Sequence, residues 1–225
     1  MTKLHLHTTN AHHTFTTAEC AIFERAAKQA EAFVSSIFAH FDYEVDLIVA
    51  TPSFLLPTIA EDGVSGQTYH SRLIILSIDK QQHAITEDFV FETICHELSH
   101  SLRWEKVPEY PETLFDSMIL EGLAVVLEEA AMTATQRPTT QYFLNTMQQT
   151  STEEINGMIA TLKDTFDSME YDYTRVFFTG DNTLPRWAGY RLGYYFVKQY
   201  LEKMNRTIVQ ATEDWYQTFA KVLRG

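Results

Sequence analysis

The stretch TEDFVFETICHELSHSLRW (86–104) decides how this chain is read. Thr86 can cap a helix, and Glu87 and Asp88 suit the positive end of a helix dipole. Val90, Ile94, Leu98 and Leu102 follow at every fourth position, an apolar stripe that buries one side of a helix running to about Trp104. Set on that helix is His96-Glu97-Leu98-Ser99-His100. Four residues at about 100° each bring the second histidine to within roughly 40° of the first, one turn along. Two imidazoles so placed face one point and can each give a nitrogen to a zinc ion. Glu97 lies beside that face, positioned to take a proton from a water at the metal and not to bind the ion itself.

A third protein ligand is needed, and spacing tests where it comes from. The metzincin pattern places glycine three residues and histidine six residues after the second histidine. Here those positions hold Arg103 and Lys106, which excludes that class. The gluzincin arrangement takes a glutamate from the following helix, and Glu121 in DSMILEGLAVVLEEA (116–130) fits. An acid inside so apolar a helix needs a partner, because an unpaired buried carboxylate is costly. Gly122 and Ala124 are small enough for this helix to approach the first closely, and the hairpin with Pro108 and Pro111 gives room to bring Glu121 level with the histidines. Glu128, two turns further on the same face, is expected to support a ligand or face solvent, and Glu129 to face solvent.

Outward from this pair of helices, the first hundred residues mix strand and helix. LHLHT (4–8) alternates as a short strand does, and VDLIVA (45–50) and RLIILSI (72–78) read as strands. Thr16 and Glu19 form a capping box before a long helix with the stripe Ile22, Ala26, Ala30, Phe33, Ile37, Phe41. The segment 51–70, with two prolines and two glycines, reads as loop with room for one short strand. After Thr86 the pattern is helical, with helices expected at about 112–130, 153–169, 186–204 and 207–223. Pro185 falls at a first-turn position of the penultimate one. The Gln/Thr-rich connection 133–152 gives no clear pattern. The expected architecture is one α+β domain over 1–225, a mixed part (1–104) and a helical part (108–225) with the active-site cleft between them.

HELSH (96–100), LEGLA (120–124) and LPRWAGYRLGYYFVKQYL (184–201) together resemble the predicted bacterial zinc-dependent proteases originally described as a domain of unknown function. The resemblance spans about residues 60–203 and keeps the order and separation of the three motifs. It implies a zincin-like, gluzincin-type fold with His96, His100 and Glu121 on zinc and Glu97 as base. One departure matters. Thermolysin-type enzymes carry an aspartate four residues after the glutamate ligand to orient a histidine, and here that position is Val125, so the orienting group comes from elsewhere. Glu92, one turn before His96, is one candidate. In the third motif Gly189 and Gly193 form a flat stripe for close helix contact. Tyr190 and Tyr194 run beside it, either as oxyanion donors or as core residues with wet hydroxyls.

The formal net charge of −13 argues against a nucleic-acid partner, which needs a basic footprint, and against adsorption to an anionic membrane surface. Apolar runs are far shorter than the roughly 20 residues of a membrane span, and the N-terminus does not read as a secretory signal. Two cysteines, Cys20 and Cys95, make no disulfide framework, so a cytoplasmic location is expected, with Cys95 a buried inert thiol. His5 and His7 share one strand face and read as exposed residues with no acidic partner nearby. The expected function is zinc-dependent cleavage of a peptide or protein substrate. The alternative is a zinc-binding, catalytically silent interaction domain, and hydrolysis of a non-peptide amide is not separated by sequence.

Overall fold

Alternation in the strands and three-and-four spacing in the helices carry through to a mixed fold in the computed structural model, which describes all residues but Met1, Phe41, 54–57, Gln82, Thr139, Thr140 and Gly225. The four strands are β1 (Lys3–Thr8), β2 (Glu44–Ala50), β3 (Val64–His70) and β4 (Leu73–Ile78). They form one sheet in the order β1-β2-β4-β3, parallel except for β3, which runs antiparallel to β4 at the edge. Val45, Leu47, Val49, Ile74 and Leu76 are fully buried, so one face of the sheet carries the core. The other face is more exposed, with Ile48, Leu73 and Ile75 beside charged side chains of β1 and β2. There His5 pairs with Glu44, and His7 Nε2 lies 2.9 Å from Asp46 Oδ1. The parallel register of β1 on β2 brings acidic partners that the sequence alone did not suggest for these histidines.

β3 is the element least visible in the sequence. VSGQTYH has few β-formers, yet it is held by pairing to β4 and by packing under the motif helix. Phe54, Leu55, Leu56 and Pro57, from the segment read as loop, lie outside the described residues.

Helix α1 (Thr17–Ile37) begins at the Thr16–Glu19 capping box, and its buried face is centred on Phe23, Ala26, Ala30 and Val34; Phe41 of the expected stripe is outside the described residues. Helix α2 (Glu87–Lys106) carries the motif, with Thr86 Oγ1 accepting from Phe89 N at 3.2 Å. Helix α3 (Leu114–Ala134) starts where Thr113 and Asp116 cap each other. Helix α4 (Tyr142–Gln149) rises from the Gln/Thr-rich connection because Asp62 caps it, accepting from Tyr142 N at 2.6 Å and Phe143 N at 3.1 Å.

Helix α5 (Thr152–Leu162) ends sooner than its apolar pattern suggests, in a short 3₁₀ turn, Lys163–Thr165. A π-turn, Arg175–Thr179, has no counterpart in the sequence reading. Helix α6 (Ala188–Met204) begins three residues beyond Pro185, after Trp187 in the left-handed region at φ 62°. The expected last helix is two, α7 (Ile208–Thr212) and α8 (Tyr216–Arg224), divided at the Thr-Glu-Asp-Trp segment 212–215.

Contacts divide the chain into two compact units. The first, Met1–Lys106 with Leu127–Asn145, holds the sheet, α1, α2, the last turns of α3 and the start of α4. The second, Val107–Val126 with Thr146–Gly225, holds the first turns of α3 and the C-terminal helices. Its core includes the mutually packed rings of Phe115, Phe166 and Phe196, and Tyr200 against Phe219. Within it α3 and α6 meet backbone to backbone. A Cβ at Gly193 would stand 2.0 Å from the Met118 carbonyl oxygen, and one at Gly122 would stand 2.2 Å from that of Gly193. Gly122 therefore serves contact with α6, a partner that the sequence reading did not name.

Candidate metal centre

His96 and His100 stand one turn apart on α2, their ring centroids 5.2 Å apart. With Glu121 on α3 they form a buried cluster in which each residue offers one ligand atom, and these atoms lie within 4.8 Å of one another. Donors that each sit about 2.0–2.2 Å from one ion are separated by roughly 3.5–4.3 Å, so small side-chain adjustments close this set on a cation. Two imidazole nitrogens and one carboxylate oxygen suit zinc, and three protein ligands leave a tetrahedral position for water. The residues present fit the ion.

Glu97, 5 % exposed, is held from the sheet side. Thr68 Oγ1 on β3 lies 2.7 Å from Glu97 Oε2 and 3.0 Å from the Glu97 carbonyl oxygen. Two residues away on the same face of β3, Gly66 leaves the space the glutamate occupies, since a Cβ there would stand 2.3 Å from Glu97 Cγ and 2.6 Å from Oε1. The side chain is thus laid along the strand, fixed by one hydroxyl and one missing methyl.

The orienting group for the first histidine is Glu128. Its Oε2 lies 2.9 Å from His96 Nδ1, leaving Nε2 as the ring nitrogen for a metal. The carboxylate is fully buried, and burial raises its pKa while the adjoining imidazole lowers it. Glu92, expected beside the histidine, instead backs Glu128. It is completely buried, and neither of its oxygens meets a donor among the described residues. Two neighbouring carboxyls share such a site only if one is protonated, and burial followed by the Glu128 charge pushes Glu92 up to about 10. At neutral pH Glu92 therefore carries a proton, and the Glu128 carboxyl faces His96. The ring of Phe143 lies edge-on to His96 at 5.9 Å. Cys95 is buried, and burial holds its thiol well above the usual range, as expected of an inert residue.

The tyrosines of the third motif lie on α6. Tyr190 packs edge-on against Phe177 at 5.5 Å, and the Lys198 ammonium lies 5.4 Å from the ring centroid of Tyr194. A residue the sequence did not single out reaches the site's acid: Tyr173 donates its hydroxyl proton to Glu121 Oε1 at 3.3 Å. Its only sequence signal was a pair of tyrosines in the segment EYDYT (170–174), ahead of a turn of no recognisable pattern.

A helix-borne histidine pair with a buried glutamate from the next helix is a donor set that can hold a divalent metal ion. The chain belongs to the family described as Predicted Zn-dependent protease (DUF2268), whose model matches residues 21–221. No curated protein and no solved structure matches it.

Proposed function

We propose that this protein is a gluzincin-type zinc peptidase on a zincin-like fold, with His96, His100 and Glu121 as metal ligands and Glu97 as general base. The observation that carries the reading is the buried His-His-Glu donor set with Glu97 clamped next to it on α2. A zinc ion held there supplies a Lewis acid for a carbonyl oxygen and lowers the pKa of water towards 7. Glu97 accepts the proton of the attacking water and delivers it to the amine as the C–N bond breaks. Thr68 and Gly66 fix the rotation of that carboxylate, and Glu128, backed by protonated Glu92, fixes the ring of His96. Tyr190 or Tyr194 on α6 supplies a donor for the developing oxyanion.

The substrate is a peptide in extended form. We infer that it adds by backbone hydrogen bonds on the β3 side of the sheet, where β3 is last in the strand order. The antiparallel edge strand beside the motif helix also supports the zincin-like reading.

The test is cleavage of a peptide library by wild type and by Glu97→Gln, with bound metal measured on both. Wild type should carry about one zinc per chain and cleave, while Glu97→Gln keeps the zinc and loses at least about 100-fold in kcat/KM. Absence of zinc from the wild type would end the proposal. Stoichiometric zinc with no cleavage by the wild type would instead favour a silent zinc-binding domain.

A further inference from the structure

Two tyrosines two residues apart meet two polar groups four residues apart on α3. Tyr171 Oη lies 2.6 Å from Ser117 Oγ, and Tyr173 Oη donates to Glu121 Oε1 at 3.3 Å. Ser117 and Glu121 are one helical turn apart, about 6 Å of rise, a distance that two residues of chain can cover. The segment thus docks on the face of α3 that bears the candidate ligand.

The ring of Tyr173 is itself held. It stacks on Phe177 with centroids 4.5 Å apart and planes 21° from parallel. Phe177 is fully buried, projects from the π-turn, and rests against Gly189 of α6, where a Cβ would stand 2.5 Å from Phe177 Cε1. Extra turns of this kind often aim side chains at functional sites. A connected path runs Gly189, Phe177, Tyr173, Glu121, and it gives the first glycine of the α6 motif a purpose that a flat helix contact does not.

We propose that Tyr173 is the positioning residue for the third metal ligand: its phenol holds one oxygen of Glu121 and so sets the rotation at which that carboxylate meets the cation. The inference rests on the reading of His96, His100 and Glu121 as a zinc site. Carboxylate ligands need such outer hydrogen bonds, and losing one costs roughly 10- to 100-fold in metal affinity. Phe177 and Gly189 act through Tyr173.

Zinc affinity measured by competition with a chromophoric chelator tests this without substrate, on wild type, Tyr173→Phe, Glu121→Gln and the double variant. Tyr173→Phe keeps the stacked ring, so the metal-free melting temperature should stay at the wild-type value while zinc affinity falls about 10-fold. In the Glu121→Gln background, Tyr173→Phe should change zinc affinity by less than about 2-fold, since two residues acting as one unit are non-additive. Gly189→Ala, which pushes Phe177 towards Tyr173 and so shifts the phenol without removing it or the carboxylate, should weaken zinc in the same direction. Wild-type zinc affinity in Tyr173→Phe, or a full further loss in the double variant, would overturn the inference and leave the zinc site standing. A wild type that binds no zinc would remove the site and this inference with it.

Discussion

Seven residues separate Glu121 from Glu128, two turns of α3, so a helix that offers one acid as a ligand offers a second on nearly the same side about 10 Å further along. Only the second meets His96 Nδ1. Glu128→Ala is expected to weaken zinc about 10- to 100-fold, and Glu128→Gln less, because an amide oxygen still accepts from the ring. Equilibrium dialysis against buffered zinc checks both. Glu92 gives a pH signature. Folded, its carboxyl keeps the proton up to about pH 10, against an ordinary value of 4.5. Between those limits the folded chain binds more protons than the unfolded one, so Glu92 makes stability fall as pH rises through that window and adds nothing further above it. Metal-free Glu92→Gln should therefore lose less of its urea midpoint than wild type between about pH 6 and pH 9, by a few kcal/mol at the alkaline end. An identical slope would show that Glu92 ionises freely. Individual residues were unevenly legible. The two histidines and Glu97 announce themselves by spacing, and Glu121 by its apolar company. Glu128 looked ambiguous, because spacing gives a face but not which neighbour occupies it. Tyr173 was invisible, because its place depends on a turn whose geometry no periodicity records.

Among the elements, helices with strong caps emerged close to their expected bounds. The bounds that the sequence left open are those of strand β3 within 51–70, and the C-terminal breaks were missed; in both, tertiary partners override local preference. β3 is formed by what it touches: β4 on one edge and α2 above. Gly66→Ala would drive a methyl into Glu97. The expected result is a loss of at least about 10-fold in kcat with zinc still bound, since a displaced base costs rate and not metal. Kinetics and metal analysis on one sample separate the two effects. The α3–α6 crossing should be equally intolerant. A methyl at Gly193 meets the Met118 carbonyl, a backbone atom that no rotamer change removes. Gly193→Ala should cost about 1–3 kcal/mol of stability, read as a lowered urea midpoint.

At the scale of the molecule, composition and the order of elements were enough to expect an α+β chain, and a mixed sheet followed by helices is what the structure has. Each compact unit is assembled from two stretches of chain, and α3 belongs to both, an arrangement that spacing along the sequence does not record. Among the described residues no helix is long and apolar enough to cross a membrane. Since the donors of the candidate site come from two helices, metal binding is linked to folding. At free zinc 1,000 times Kd that linkage contributes about 4 kcal/mol. For a chain of this size, stripping the ion with a chelator should lower Tm by on the order of 10 °C, restored by zinc and not by magnesium. Scanning calorimetry with and without chelator measures it.

The grip of β3 on Glu97 reaches beyond orientation. If a peptide lengthens the sheet on the β3 side, it presses on the same strand whose threonine hydroxyl and bare α-carbon steady Glu97, so hold and chemistry share one support. Clipping residues from a substrate, far from the bond that is cut, is then expected to slow turnover itself and not merely weaken capture, seen as kcat declining with peptide length.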